Sequence, residues 1–184
     1  MQTCSTPSLL LGDSLGVQLG SKLPELLLLA QNGATASNAT NNNLLQQVRC
    51  APPVNPTCGR FALVSIGAND FMQNQADGDV ENGFRQAQKE LMDKGYQIYL
   101  LKMATADNFP SKALLAAQFS GAADPLTSFS RKWQTLQGAC EGPASSKCAV
   151  MDLTDINYET GLDDLHMSDS AVVNFAAAAQ ERTV

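Results

Sequence analysis

The chain has 184 residues, enough for one domain with a sizeable core and too few for two ordinary ones, so residues 1–184 read as a single domain. Apolar residues make up 44%, which excludes a disordered chain, and 12 Lys+Arg against 18 Asp+Glu (net charge -6) with no basic cluster excludes a nucleic-acid partner and disfavours anionic membrane surfaces. No apolar run approaches the roughly 20 residues of a spanning helix, so no transmembrane segment is expected.

Ser8–Leu11 is a short apolar run ended by Gly12 and reads as a buried strand. Ser14–Leu23 carries Leu15, Leu19 and Leu23 at helical spacing until Pro24 interrupts. Leu26–Ala30 is a second strand, ended by the turn pair Asn32-Gly33. A stretch rich in Asn, Ala and Thr leads to a short helix at Leu44–Val48, and Cys50–Cys58 is loop. Phe61–Ile66 is the clearest strand, again ended by glycine, Gly67. Val80–Lys94 places Val80, Phe84, Ala87 and Leu91 on one face, an amphipathic helix capped by Gly95. A strand at Gln97–Met103, helices at Ser111–Phe119 and Pro125–Leu136, and a fifth strand at Cys148–Leu153 follow. Thr160–Met167 is loop, and Ser168–Arg182 is a final Ala-rich helix with Ser168 as its N-cap.

Strands alternating with helices define an α/β fold with a mostly parallel sheet and helices on both faces. In such folds chemistry sits in loops beyond the carboxyl ends of the strands. Here those are Gly12-Asp13-Ser14, Asn32-Gly33 and Gly67-Ala68-Asn69-Asp70.

The five cysteines bear on the compartment. Cys50 and Cys58, and likewise Cys140 and Cys148, are separated by seven residues of turn-rich sequence. Two local disulfides are expected, each stabilising by about 2–3 kcal/mol through loop closure. The N-terminus, with neither a basic start nor a long apolar stretch, does not read as a signal peptide. The chain is therefore either cytosolic or a mature exported form, and the paired cysteines favour the periplasm or the extracellular space over four free thiols in the cytosol. Cys4 is left over. The cysteine spacings and the single histidine do not suit zinc, so no metal site is expected.

Ser14 follows a strand through Gly-Asp and opens a helix, which places its own N–H at a helix N-terminus where an oxyanion can be held. An N-cap serine beside a turn-forming aspartate is the alternative. His166, the sole histidine, lies in Asp163-Asp164-Leu165-His166, where Asp163 can reach one ring nitrogen and leave the other for a nucleophile. The alternative is a surface histidine near a helix start. Asn69 can point amide donors at a reacting carbonyl oxygen or can simply form a turn with Gly67 and Asp70.

Together these residues resemble the SGNH, or GDSL, hydrolases. The first block is Gly12-Asp13-Ser14-Leu15, the third Gly67-Ala68-Asn69-Asp70, and the last Asp163-x-x-His166, in that order over nearly the whole chain. The resemblance implies a flavodoxin-like α/β/α sandwich with a five-stranded sheet. It implies Ser14 as nucleophile, His166 as general base and acid, and Asp163 as orienting carboxylate, with Asp164 a substitute one residue off the motif. It implies an oxyanion hole made by the Ser14 N–H, the Asn69 amide and a backbone N–H of the second block. That block departs from the family's pattern: Asn32 is followed by Ser37 where the family has glycine, so the third donor is Ser37 or, in another register, Gly33. The implied reaction is hydrolysis of a carboxylic ester, with no metal or organic cofactor. Aromatic residues are only 6% and no apolar insertion resembles a lid, which tilts the substrate towards a small acyl group, such as acetyl on a carbohydrate or cell-wall polymer. Phe71, Met72 and Phe109 remain candidates for lining an acyl pocket. A non-catalytic module of the same fold, binding carbohydrate or a protein, is the alternative that the altered second block favours. The oligomeric state is not legible.

Overall fold

Strand β1 (Leu9–Gly12) is apolar along its length because both of its faces are covered: Leu9 and Leu11 enter one hydrophobic core and Leu10 the other. The same alternation runs through β3 (Phe61–Ser65), where Ala62 and Val64 face one core and Leu63 the other, and through β4 (Gln97–Lys102). With β2 (Leu27–Leu28) and β5 (Cys148–Asp152) these strands form an all-parallel sheet in the order β2-β1-β3-β4-β5. The computed structural model describes residues 5–142 and 147–183, and Cys4 lies outside them.

Helices α1 (Ser14–Gly20), α5 (Ser111–Phe119) and α7 (Asp169–Arg182) cover one face, contributing Leu15, Leu19, Ala113, Ala117 and Phe175 to its core. Helices α2 (Leu44–Cys50), α4 (Asp77–Asp93) and α6 (Pro125–Glu141) cover the other, with Leu44, Val48, Val80, Phe84 and Leu136. The result is a three-layer α/β/α sandwich, as the alternating elements imply. A fully buried leucine such as Leu10 contributes about 2–5 kcal/mol relative to alanine in such a core.

The connection after β1 leads to β2 on one side, and the next strand, β3, pairs with β1 on the other. This reversal is the point where open parallel sheets bind ligands. Register places Gly12 opposite Ser65, so the chain leaves both strands at the same level.

Several elements differ from the expected bounds. Edge strand β2 shrinks to two residues, with Leu27 and Leu29 N–H groups bonded to Ser8 and Leu10 and Leu28 already exposed. Helix α1 stops at Gly20 because Ser21–Leu23 tighten into turns before Pro24. Helix α4 begins three residues early, with Asp77 and Asp79 in the first turn where the helix dipole favours carboxylates. A short helix α3 (Ala68–Met72) and a 3-10 turn (Pro56–Cys58) occupy segments read as loop.

The Cys140–Cys148 disulfide is present, its Cα atoms 5.4 Å apart, and ties α6 to β5. The expected Cys50–Cys58 bridge is not: Cys50, the last residue of α2, is a free exposed thiol, and Cys58 is disulfide-bonded otherwise. The segment after α2 is drawn along the α4–β4 junction, where the Val54 N–H donates to the Lys94 carbonyl and the Tyr96 hydroxyl to that of Pro52. No helix among the described residues is long and apolar enough to cross a membrane. In native, unreduced protein a maleimide should label Cys50 without denaturant while the Cys140 and Cys148 peptides stay linked in mass mapping. A linked Cys50–Cys58 peptide would contradict the structure.

Candidate active site

The turn that presents Ser14 depends on glycine. Gly12 has φ +127°, and a Cβ there would lie 1.7 Å from the Ser65 carbonyl oxygen. Gln47 of α2 grips the same residue through both amide atoms, accepting from the Gly12 N–H and donating to its carbonyl at 2.8 Å each. Asp13 then caps α1, its side chain accepting from the Leu15 N–H at 3.0 Å, and its own N–H donates to the Ser65 carbonyl. Ser14 is the first helical residue, half-buried, and its N–H has no acceptor among the described residues. An N-cap serine is thereby excluded: Asp13 holds that position.

The loop before α7 carries the next two residues. One oxygen of Asp163 accepts the N–H groups of Leu165 and His166, at 3.0 and 2.9 Å. The other lies 2.6 Å from His166 Nδ1, and His166 Nε2 lies 2.9 Å from Ser14 Oγ. The ring bond first, and the two backbone donors after it, hold the Asp163 carboxyl below the usual carboxylate range. An ionised Asp163 makes Nδ1 the donor and leaves the Nε2 lone pair to accept from the serine hydroxyl. Asp164 takes no part: it sits at φ +53° and its N–H donates to Gly161. A Thr160–Met167 bridge and the bond from the Gly161 N–H to the His166 carbonyl close the loop. Gln18, one turn after Ser14, accepts from the Met167 N–H at 3.1 Å and donates to its carbonyl at 3.0 Å. Neither Gln18 nor Gln47 was singled out in the sequence, although the spacing from Ser14 to Gln18 places both on one helix face.

In α3, Asn69 is buried and donates through Nδ2 to the Ala34 carbonyl at 3.1 Å, leaving its second amide hydrogen uncommitted. Asp70 is fully buried and accepts the N–H groups of Ala36 and Ser37 at 2.7 and 2.8 Å. The Ser37 N–H is therefore occupied, because a buried carboxylate requires donors. Gly33 is exposed at φ +77°, and its N–H has no acceptor among the described residues. Of the two expected donors of the second block, only that of Gly33 is free.

Burial pushes the Asp70 carboxyl up, against the pull of the Ala36 and Ser37 N–H groups and of the Lys132 charge. Burial also pushes Asp13 up to about 7, opposed by the Leu15 N–H and reinforced by the charge of Asp70. One Asp13 oxygen has no hydrogen-bond partner.

A mostly apolar cavity of about 40 Å³ is walled by Asp13 and Leu15, the chain neighbours of Ser14, by Ala68 next to Asn69, and by Phe109, Phe129 and Trp133, while Ser14, Asn69 and His166 do not line it. Phe71 does not line it. It is fully buried and packs edge-on against Phe109 and Phe129, supporting the wall from behind. No cluster of three or more His, Cys, Asp or Glu among the described residues is arranged for a metal ion.

No protein-family model matches the sequence, and no curated protein sequence matches it. Solved structures do match in fold. A GDSL-like lipase from Bacteroides thetaiotaomicron superposes with a TM-score of 0.64 at 12% identity, over 97% of this chain and 87% of the other. An acetyl-xylooligosaccharide esterase from Geobacillus, studied as a variant, gives 0.59 at 13%, over 97% and 94%. The OSK domain of Drosophila Oskar gives 0.60 at 13%, over 100% and 93%. The chain has the fold of the SGNH hydrolases.

Asp13 offers a test of the site's electrostatics. An ordinary aspartate ionises near 3.8, whereas the folded chain holds the Asp13 proton until about 7, so its contribution to stability is full below about pH 4 and lost as pH rises through 7. Asp13→Asn keeps an acceptor for the Leu15 N–H and cannot ionise. Urea unfolding at a series of pH values should show the variant gaining on the wild type between about pH 4 and 7, by a few kcal/mol at most, since each tenfold change in proton affinity is worth about 1.4 kcal/mol. A pH-independent difference would mean that Asp13 is ionised throughout.

Proposed function

We propose that the chain is a serine esterase that hydrolyses a carboxylic ester through an acyl-enzyme, removing a small acyl group, acetyl foremost, from a carbohydrate or cell-wall polymer. The observation that carries this reading is the unbroken hydrogen-bonded chain Asp163–His166–Ser14, ending at the first residue of a helix. Ser14 Oγ attacks the ester carbonyl as His166 Nε2 takes its proton. The carbonyl oxygen becomes an oxyanion, for which the Ser14 N–H and the spare Asn69 hydrogen are available donors and Gly33 the remaining candidate. Collapse breaks the bond to the leaving alcohol, which receives the proton from His166. Water, deprotonated by the same ring, then attacks the acyl-enzyme and releases the acid. The cycle uses no cofactor.

The acyl side is read from the small cavity bordered by Asp13, Leu15 and Ala68, the chain neighbours of Ser14 and Asn69, and by Phe109, Phe129 and Trp133, which has little room for a long chain. The sugar side is read from the loop that holds Ala34 against Asn69, which turns the uncharged amides of Asn32, Asn38 and Asn41 to solvent, groups suited to hydroxyl partners. The acetyl-xylooligosaccharide esterase shares this fold. The Cys140–Cys148 disulfide supports a periplasmic or secreted site of action. A second reading, a weakly active or inactive binding module, rests on the occupied Ser37 N–H, which leaves the second block without its expected donor. The OSK domain, which is not named as a hydrolase, has the same fold, so fold alone does not decide.

Labelling by a serine-reactive phosphonate separates the readings: an esterase is modified at Ser14, and a binding module is not. Ser14→Ala and His166→Ala should each abolish nearly all turnover, because the pair acts as a unit. Asn69→Ala should lower kcat by about 100–1,000-fold with KM little changed, since an oxyanion donor acts mainly in the transition state. Loss of fold in that variant, or a kcat near that of the wild type, would remove Asn69 from the hole. Among p-nitrophenyl esters, acetyl should be the best substrate and octanoyl the worst. Activity that rises with chain length would overturn the small-acyl reading.

A further inference from the structure

We infer that Gln18 is a positioning residue for His166: its amide clamps the backbone of Met167 and thereby holds the imidazole against Ser14. The kinetic side of this inference rests on the esterase reading, and its structural side does not.

Asp163 and His166 lie on the same loop, so the bond between them orients the ring within the loop but cannot hold the loop against the nucleophile. The bond from the Gly161 N–H to the His166 carbonyl is equally internal, whereas Tyr158, just before the loop and packed by its ring on Phe175 of α7, donates its hydroxyl to the Leu165 carbonyl at 3.2 Å. Besides the Ser14–His166 contact, and apart from the apolar packing of Leu165 and Met167 on the core, two side-chain hydrogen-bonded attachments among the described residues tie residues 160–167 to the helices beneath them. One runs from Lys112 Nζ to the Asp163 carbonyl, exposed and carried on a long flexible side chain. The other is the Gln18 pair, in which one planar amide satisfies both the N–H and the carbonyl of Met167. Met167 is buried and adjoins His166 in the chain, so fixing its peptide groups fixes where the imidazole starts.

Gln18 stands one turn after Ser14 on α1, so the nucleophile and the clamp share one rigid element and one face. The distance from Ser14 Oγ to His166 Nε2 is therefore set through a short path: helix turn, amide clamp, one peptide. Misplacement of a base by about 1 Å is enough to cost roughly 100-fold in rate.

Gln18→Met removes both hydrogen bonds while nearly preserving side-chain volume. On p-nitrophenyl acetate it should lower kcat by roughly 10–100-fold with KM little changed. In a His166→Ala background the same substitution should cost nothing further, because no ring remains to be placed. An undiminished loss in that background would overturn the inference and put the effect of Gln18 on Ser14 or on the fold.

The single histidine supplies a readout that needs no substrate. In 15N spectra of the ring, the Nε2 signal of Gln18→Met should move to where Ser14→Ala places it, since both lose the serine hydroxyl bond, while Nδ1, held from within the loop by Asp163, stays. An Nε2 signal unmoved from the wild-type position overturns the inference, whether or not any ester is cleaved. A shifted Nε2 in a protein that cleaves no ester counts against the esterase reading and leaves the clamp standing. Should Gln18→Met fail to fold, Gln18→Glu, which keeps the acceptor for the Met167 N–H and exchanges only the donor, carries the same comparisons.

Discussion

At the carboxyl end of the sheet the backbone of Gly12 is pressed against the Ser65 carbonyl, with no room between them for a side chain. This approach of β1 to β3 brings together two chain segments that leave the sheet in adjacent positions, one carrying Ser14 and the other Asn69. Because the two strands are in register at that contact, the helix N-terminus that presents the hydroxyl and the turn that presents the amide are placed by the sheet itself. Gln47 reinforces the contact, bonding both peptide groups of Gly12, whose carbonyl also accepts from the Gln31 N–H.

Around this fixed centre the remaining parts are attached by buried polar groups. Asp70 organises the second block: its two oxygens receive the N–H groups of Ala36 and Ser37, and the carbonyl of nearby Ala34 receives Asn69. Two consecutive residues, Asn69 and Asp70, thus pin the loop from opposite ends, one as donor and one as acceptor. The charge of Asp70 adds to burial in disfavouring the ionised form of Asp13. Asp13, one oxygen of which has no partner, and Ser65, whose hydroxyl has none, both line the cavity.

The sequence made the sheet legible because buried strands ended by glycine, such as Leu9–Gly12 and Phe61–Ser65, have few other readings. Ser14, Asp163, His166 and Asn69 were legible through short motifs at strand ends, and the structure brings the first three into one hydrogen-bonded chain. The commitment of the Ser37 N–H was not legible, since it depends on a carboxylate 33 residues away. The Cys50 pairing failed for a related reason: equal spacing says that a loop can close, not which way the helix end before it points. The roles of Gln18 and Gln47 are not legible in the sequence, because a glutamine on a helix carries no local signal for a backbone partner 149 or 35 residues distant.

The surroundings of the Asp163–His166 pair decide what kind of control the fold can exert on it. Their side chains are 51% and 35% exposed, so water screens the attraction between them and a low local dielectric cannot be what aligns the ring. In a buried constellation, charge and desolvation would strengthen every contact. Here alignment must come from covalent and hydrogen-bonded geometry. Asp163 is fixed by two backbone donors of its own loop, and the loop is fixed by Met167, whose side chain is buried and whose peptide groups are taken by α1. An exposed loop on a rigid attachment leaves its outer side open to solvent while the inner side keeps the ring nitrogen within reach of the serine. That division suits the ester proposed above, with a small acyl end and a large, solvated alcohol end.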